Sequence, residues 1–278
     1  MSSGGLLAVF AHPDDEVFGS GGTLATYAEK GPPVSLVCAT RGEVGEIAPG
    51  VVATPQTLAR VRDGELREAC DVLGIGEPLF LGYRDSGMAG TPENDDPRSL
   101  ARAPVREVAA RVQRIMERLR PRVVITFGPE GGYGHPDHVA IHDATLSAFD
   151  ALGARRAAAK GALGDYAPEK LYFVAVPRRT LVPLAEEMAR RGASSSSLFA
   201  RDPSTLGIPD EEITTWIDVD KYNDRKLRAR LAHRSQLDPS SFYAVISPEL
   251  WRRFYPREAF IRARPQSSHA QVETDLFD

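Results

Sequence analysis

Apolar positions in the first half of the chain fall into short, nearly unbroken runs separated by amphipathic stretches. Leu6–Ala11, Pro33–Ala39, Pro78–Leu81 and Arg122–Phe127 (RVVITF) are the runs. Between them, Thr23–Lys30, Thr54–Leu73, Val105–Leu119 and Val139–Leu152 carry apolar residues at helical spacing, as in Leu58, Val61, Leu66, Ala69, Val72 and Leu73. Gly31 and Gly74 stand where two of these helices stop, as C-terminal caps do. Strands covered by helices on both faces need no polar side, so continuous runs alternating with helices predict an α/β fold. The expected architecture is a Rossmann-like, mostly parallel sheet flanked by helices on both faces.

The second half is less regular and reads as strand and helix additions to that core. Lys170–Val176 and Thr214–Val219 are expected strands, and Leu181–Arg191 and Lys221–Gln236 expected helices. Phe242–Ile246 and Glu258–Ala263 fit either strands or covering elements. No linker-like shift in composition divides the chain, so 1–278 is read as one domain, with a core over 1–152 and additions over 153–278. Two segments, 42–54 and 85–104, are rich in Gly, Pro, Asp and Asn and predict long loops, which in compact domains tend to be functional. The polar tail from Pro265 to Asp278 is expected to be loose, or to dock on a neighbour through Leu276 and Phe277.

Composition narrows the partners. With 42% apolar residues, 26% charged residues and a formal charge of −4, the chain lacks the basic stripe of a nucleic-acid binder. Its Arg pairs (Arg155-Arg156, Arg178-Arg179, Arg190-Arg191, Arg252-Arg253) are dispersed. Cys38 and Cys70 lie in apolar or helical settings and read as small buried side chains, which suits a reducing compartment. No stretch has the length of a membrane span or the form of a signal peptide. The expectation is a cytoplasmic protein with no nucleic-acid and no membrane partner.

Candidate chemistry gathers at two strand ends. Leu6–Ala11 runs straight into His12-Pro13-Asp14-Asp15-Glu16, and RVVITF into Gly128–His138 (GPEGGYGHPDH). Ligands of open parallel sheets bind beyond the carboxyl ends of the strands, so both segments face one edge. A hydrolytic metal site needs three protein ligands and an open position. His12 and Asp15 can reach one ion from the same turn, and a histidine of the second segment completes the set. Gly19, Gly21 and Gly22 do not have dinucleotide-loop spacing, and acids crowd the place of a pyrophosphate, so they are read as easing the turn into the next helix. Glu16 fits either a partner of a ligand histidine or a helix cap. His142 reads as a buried structural histidine, and His233 and His269 as surface residues. Arg41, Glu43 and Arg84 fit either substrate contacts or loop-stabilising pairs.

AHPDDE and HPDH together resemble the LmbE-like, or PIG-L-like, N-acetylglucosaminyl de-N-acetylases. The resemblance runs through about the first 150 residues and includes Arg62–Glu65 (RxxE) and Tyr83–Thr91 (YRDSGMAGT), the latter similar to the mycothiol-pathway branch. Ala232–Gln236 (AHRSQ) and Glu273–Phe277 (ETDLF) are similar to general bacterial members. The resemblance implies zinc held by His12, Asp15 and His138, with Fe(II) also suited to such ligands. It implies Asp14 as general base, a protonated His135 steadying the oxyanion, Asp137 orienting and charging His135, and Tyr133 as a mobile residue over the metal. Arg62 and Asp85 match positions that hold sugar or aglycone hydroxyls.

The function so implied is removal of the N-acetyl group from a GlcNAc-containing small-molecule conjugate, releasing acetate and a free amine. GlcNAc-inositol and GlcNAc-malate are the favoured substrates, with residues 153–278 shaping the aglycone pocket. Amide cleavage of a mycothiol S-conjugate, deacetylation of an antibiotic glycoside or a chito-oligosaccharide, and a non-catalytic sugar- or nucleotide-binding module remain open. A homo-oligomer is compatible with the resemblance.

Overall fold

The computed structural model describes residues 4–159, 166–190, 207–238, 246–266 and 272–278. In chain order the elements are β1 (Leu6–Phe10), α1 (Asp15–Phe18), α2 (Gly21–Lys30), β2 (Val34–Cys38), α3 (Leu58–Leu73), β3 (Leu79–Phe80), α4 (Val105–Leu119), β4 (Val123–Thr126), α5 (Gly131–Gly134), α6 (Pro136–Ala158), β5 (Lys170–Ala175), α7 (Arg178–Arg190), β6 (Thr215–Asp218), α8 (Asn223–Ala232), α9 (Pro248–Phe254) and β7 (Arg257–Arg264). The strands form one sheet in the order β3-β2-β1-β4-β5-β7-β6. From β3 to β5 the pairs are parallel, and β7 runs antiparallel to both β5 and β6.

Successive strand residues point to opposite faces, so a strand covered on both sides must be apolar throughout. In β1, Leu6, Ala8 and Phe10 join the face covered by α2, α3 and α8, packing near Leu24, Tyr27, Leu66 and Leu73. Leu7 and Val9 join the opposite face under α4 and α6, with Val112, Met116, Ile141 and Ala148. Both cysteines are buried and free.

The C-terminal additions are fastened to this core by buried polar contacts. Glu258 of β7 accepts hydrogen bonds from the backbone N–H groups of Gly22 (2.9 Å) and Thr23 (2.7 Å) at the start of α2. Lys226 of α8 pairs with the same carboxylate at 2.7 Å, both side chains being buried. Neither expectation for the tail holds over 272–278. Leu276 is fully buried in the chain's own core, its N–H donates to the Tyr27 hydroxyl (2.7 Å), and that hydroxyl donates to Asp275 (2.8 Å).

Several boundaries differ from expectation. α3 begins at Leu58, because Thr57 Oγ1 accepts the Thr54 N–H at 2.9 Å and turns the chain there. α6 is longer than expected, its start set by Pro136 in the first turn behind an N-cap at His135. The expected helix over 221–236 is α8 flanked by two 3₁₀ turns. α9 is an addition to the expected elements, although Ser247 caps it by accepting the Leu250 N–H at 3.3 Å and a proline opens it. Glu258–Ala263 belongs to a strand, while 242–245 and His269 lie outside the described residues. Gly21 and Gly22 sit inside α2 rather than in a turn, and a Cβ on Gly22 would lie 2.6 Å from the Val219 Cβ. Close packing, not backbone freedom, requires that glycine. Among the described residues no helix is long and apolar enough to cross a membrane.

Candidate active site

β1 and β4 are parallel neighbours, so their carboxyl ends bring the His12–Glu16 turn and the Gly128–His138 segment together. His12 Nδ1 and His138 Nε2 lie 3.2 Å apart. Asp15 completes the triangle, with Oδ2 3.6 Å from His12 Nδ1 and Oδ1 3.3 Å from His138 Nε2. Ligand atoms about 2.0–2.2 Å from a tetrahedral zinc lie about 3.3 Å from one another, so the two ring nitrogens are spaced as one ion requires, with Asp15 presenting one oxygen to each of them. The far nitrogens are occupied: His138 Nδ1 is 3.1 Å from the Gly131 carbonyl, and His12 Nε2 is 3.1 Å from Asp137 Oδ2. A proton on each far nitrogen leaves the near one bare, which is how outer partners orient ligand imidazoles. His12, His135 and His138 also form a compact donor group, as do His12, Asp85 and Asp137, the latter on the outer side of His12.

Electrostatics point the same way. Burial disfavours a charged His12, yet Asp137, Asp85 and Asp15 together raise its pKa well above the ordinary value. Burial likewise opposes ionisation of Asp15, but the imidazoles of His138 and His12 hold its pKa below the usual carboxylate range. Asp85 is lowered too, against its burial, by His12 and the Gly87 amide. Buried carboxylates converge here on a spot suited to positive charge, carried by a protonated His12 or by a cation.

Asp14 stands apart from this set. Its backbone is left-handed (φ 101°), a conformation that costs an L-residue about 1–3 kcal/mol and persists only where surroundings impose it. Arg62 donates from Nη2 to the Pro13 carbonyl (2.5 Å) and approaches Asp14 Oδ2 at 3.4 Å. The Asp14 side chain is 20% exposed against 9% for Asp15, so Asp14 faces the open side. Burial raises its pKa, with Arg62 opposing and Asp15 reinforcing the shift.

His135, Asp137 and Tyr133 frame the other side. His135 is the N-cap of α6, and its Nδ1 accepts the Asp137 N–H at 3.1 Å. Burial, with the neighbouring His12 and His138, pulls its pKa down to about 4. The expected imidazolium is therefore not the form this environment favours. With Nδ1 accepting, the neutral ring carries its proton on Nε2. The Asp137 carboxylate does not pair with His135 as expected; it binds His12 Nε2, the Ser86 N–H (3.0 Å) and the Ser86 hydroxyl. Tyr133 is 45% exposed, with its ring 5.1 Å from that of His138 and 6.1 Å from that of His135. Glycines with positive φ, Gly132 and Gly134, flank it.

Arg62 and Asp85, expected to meet substrate hydroxyls, are buried supports in this structure. Arg62 Nη1 also donates to the Gly42 carbonyl (3.2 Å), and Asp85 accepts from the Gly87 N–H (2.9 Å) while lying 3.5 Å from His12 Nε2. Arg41 and Glu43 are loop-stabilising: Arg41 pairs with Asp63 at 3.1 Å, and Glu43 accepts the Asp85 N–H at 3.0 Å. Arg84 pairs with Asp96 at 3.2 Å. His142 is structural, 2.8 Å from the Phe127 carbonyl.

Three residues escape or contradict the sequence reading. Ser86 carries no signal of its own there, although it lies within YRDSGMAGT. Glu16 neither contacts a ligand histidine nor caps α2; it accepts the Asp14 N–H at 2.9 Å and meets His233 Nε2 at 2.7 Å. His233 is accordingly buried, not at the surface.

A Rossmann-like sheet that presents two imidazoles and a carboxylate at adjacent strand ends, with a free carboxylate beside them, defines a metal-site α/β protein of hydrolase type. Residues 7–149 match the PIG-L family, described as GlcNAc-PI de-N-acetylase, and the chain belongs to that family. It is 37% identical, over 98% of its length and 82% of the relative's, to a 1D-myo-inositol 2-acetamido-2-deoxy-alpha-D-glucopyranoside deacetylase of Kineococcus radiotolerans. Two solved structures share the fold. The N,N'-diacetylchitobiose deacetylase from Pyrococcus horikoshii has a TM-score of 0.63 at 19% identity, covering 94% of this chain and 84% of its own. The 4-carboxy-2-hydroxymuconate hydratase GalB from Pseudomonas putida has a TM-score of 0.63 at 20% identity, covering 96% and 98%. A hydratase and a deacetylase on one fold leave the activity to be argued from the site.

Proposed function

We propose that this chain is a metal-dependent de-N-acetylase of a GlcNAc-containing small-molecule conjugate, with GlcNAc-inositol the favoured substrate. The single observation that carries the reading is the pair His12 Nδ1 and His138 Nε2, 3.2 Å apart, with Asp15 turning Oδ2 to the first (3.6 Å) and Oδ1 to the second (3.3 Å) and the more open Asp14 beside them. The relative's name supports the inositol aglycone. Zinc fits two imidazoles and one carboxylate with an open position; Fe(II) is the alternative ion.

A metal bound there supplies a Lewis acid for the amide carbonyl and a water made acidic near neutrality. Asp14 takes the proton of the attacking water and returns it to the departing amine. His135 Nε2–H, fixed by the Asp137 amide on the opposite nitrogen, donates to the oxygen that gains charge as the carbonyl becomes tetrahedral. Tyr133, between glycines, leans over the same space and adds a hydroxyl donor. Asp137 acts through His12, fixing its ring. Arg62 and Asp85 border the site, as a substrate-contact role requires, and hold Asp14 and His12 meanwhile. The chain works as one domain in which 153–278 shape the aglycone pocket, in the cytoplasm.

The test is acetate release from GlcNAc, GlcNAc-inositol and GlcNAc-malate by the zinc-loaded protein. Preference for GlcNAc-inositol is expected. Acetate from none of the three, with metal bound, contradicts the substrate assignment.

A further inference from the structure

Two sequence motifs, Arg62–Glu65 on α3 and Ala232–Gln236 at the end of α8, carry residues with no part in the chemistry above: Glu65, His233, Ser235 and Gln236. In the structure they meet beneath Asp14. Glu16, wholly buried, spends one carboxylate oxygen on the Asp14 N–H (2.9 Å) and the other on His233 Nε2 (2.7 Å). The residues after His233 fix its position. Glu65 accepts from the N–H (2.8 Å) and hydroxyl (2.6 Å) of Ser235, and the Ser235 carbonyl accepts the Ala48 N–H at 2.8 Å. Gln236 Nε2 donates to the Glu46 carbonyl at 3.0 Å. One turn before Glu65, Arg62 holds the Pro13 carbonyl and the Asp14 carboxylate.

Asp14 is thus gripped at its amide, at the preceding carbonyl and at its carboxylate. Apart from the helix-ending Arg120, it is the one described non-glycine residue with positive φ. An aspartate tolerates that conformation better than most L-residues but still adopts it at a cost, which the grip on three sides offsets. We propose that Glu16 and His233 are a positioning pair that holds Asp14 in its left-handed conformation, aiming its carboxylate at the reacting water. This rests on the de-N-acetylase reading given above. Neither residue touches substrate or metal. His233 compensates the buried Glu16 charge, which would otherwise stand unpaired beside Asp14 and Asp15.

The test compares Glu16→Ala, Glu16→Gln, His233→Ala and the double alanine variant of the full, zinc-loaded chain with the parent. Zinc content, kcat and KM for GlcNAc-inositol, and crystal structures are the readouts. The alanine variants are expected to keep zinc and KM while kcat falls about 10–100-fold, the scale of a misplacement of about 1 Å. Glu16→Gln should recover most of the rate, because its amide oxygen still accepts the Asp14 N–H. The double variant should be no worse than the poorer single one, since the two act as a unit. Unchanged kcat in zinc-bound Glu16→Ala, or a change confined to KM, overturns the proposal. If Glu16→Ala does not fold, His233→Ala and Glu16→Gln carry the same comparison. A parent protein without deacetylase activity contradicts the proposed function instead. The crystal structures then decide the link: Asp14 leaving the left-handed region in the variants supports it, and an unmoved Asp14 overturns it.

Discussion

His12 Nε2 lies 3.1 Å from Asp137 Oδ2, a contact between the turn after β1 and the first turn of α6 that decides which nitrogen of His12 faces the candidate metal site. With Nε2 protonated and held, Nδ1 is the bare atom opposite His138 and Asp15. Asp137→Asn keeps the shape but loses the charge that holds this tautomer. Metal affinity should fall about 10–100-fold, as for other outer partners of ligand histidines. Competition with a chelator of known affinity measures it, and unchanged affinity would contradict the assignment.

The role proposed for His135 is at the reaction and not at the metal, although it shares one donor group with His12 and His138. His135→Ala should retain full metal stoichiometry while kcat drops about 100–1000-fold, the usual loss for one oxyanion donor. Steady-state rates beside metal analysis separate this from a ligand role, which would cost the metal as well.

Glu258 ties β7 to α2 and to Lys226 in a dry setting. Glu258→Ala leaves Lys226 charged and unpaired, and should destabilise the fold by about 3–5 kcal/mol. Equilibrium urea unfolding reads this directly; a loss below about 1 kcal/mol would mean that water reaches the pair.

The C-terminal segment carries a pH-dependent clasp. Glu273 accepts from Lys170 (3.0 Å), Tyr172 (3.0 Å), Thr215 (2.8 Å) and Arg262 (2.5 Å). Burial raises its pKa, but Lys170, Thr215 and Tyr172 outweigh burial and bring it below the ordinary 4.5. A lowered folded pKa stabilises above the unfolded value, and that contribution disappears as pH falls through the folded one. Glu273→Gln should therefore lower Tm at pH 7, and the difference should shrink as pH falls through the folded pKa. A Tm difference that persists at acid pH would contradict the clasp.

How much the sequence makes legible depends on where each signal resides. β1, β2, β4 and β5 are readable because burial on both faces writes itself into consecutive residues. The candidate metal ligands are legible as neighbours because His12 and Asp15 share one turn and His138 comes a short loop after another strand. Asp137 is placed at the site but given the wrong neighbour, since the hydrogen bond from its own amide, not its carboxylate, reaches His135. His233 sits among arginines at a helix end, where the local sequence looks solvated. It is buried by Glu16, 217 residues away, and no local pattern encodes that pairing. α9 is different: Ser247-Pro248-Glu249 is a legible helix start that the periodicity of the second half leaves unmarked.

In the proposed reaction a metal held by His12, Asp15 and His138 works with Asp14 as the proton carrier. Acetate release from GlcNAc-inositol by chelator-stripped protein, before and after one equivalent of zinc or of Fe(II) without oxygen, with Asp14→Ala alongside, tests this. Activity should vanish on stripping and return with the metal, and Asp14→Ala should bind the same metal with a rate about 100–10,000-fold lower. Acetate release that survives complete stripping, or that survives loss of the Asp14 carboxylate, rules the reaction out.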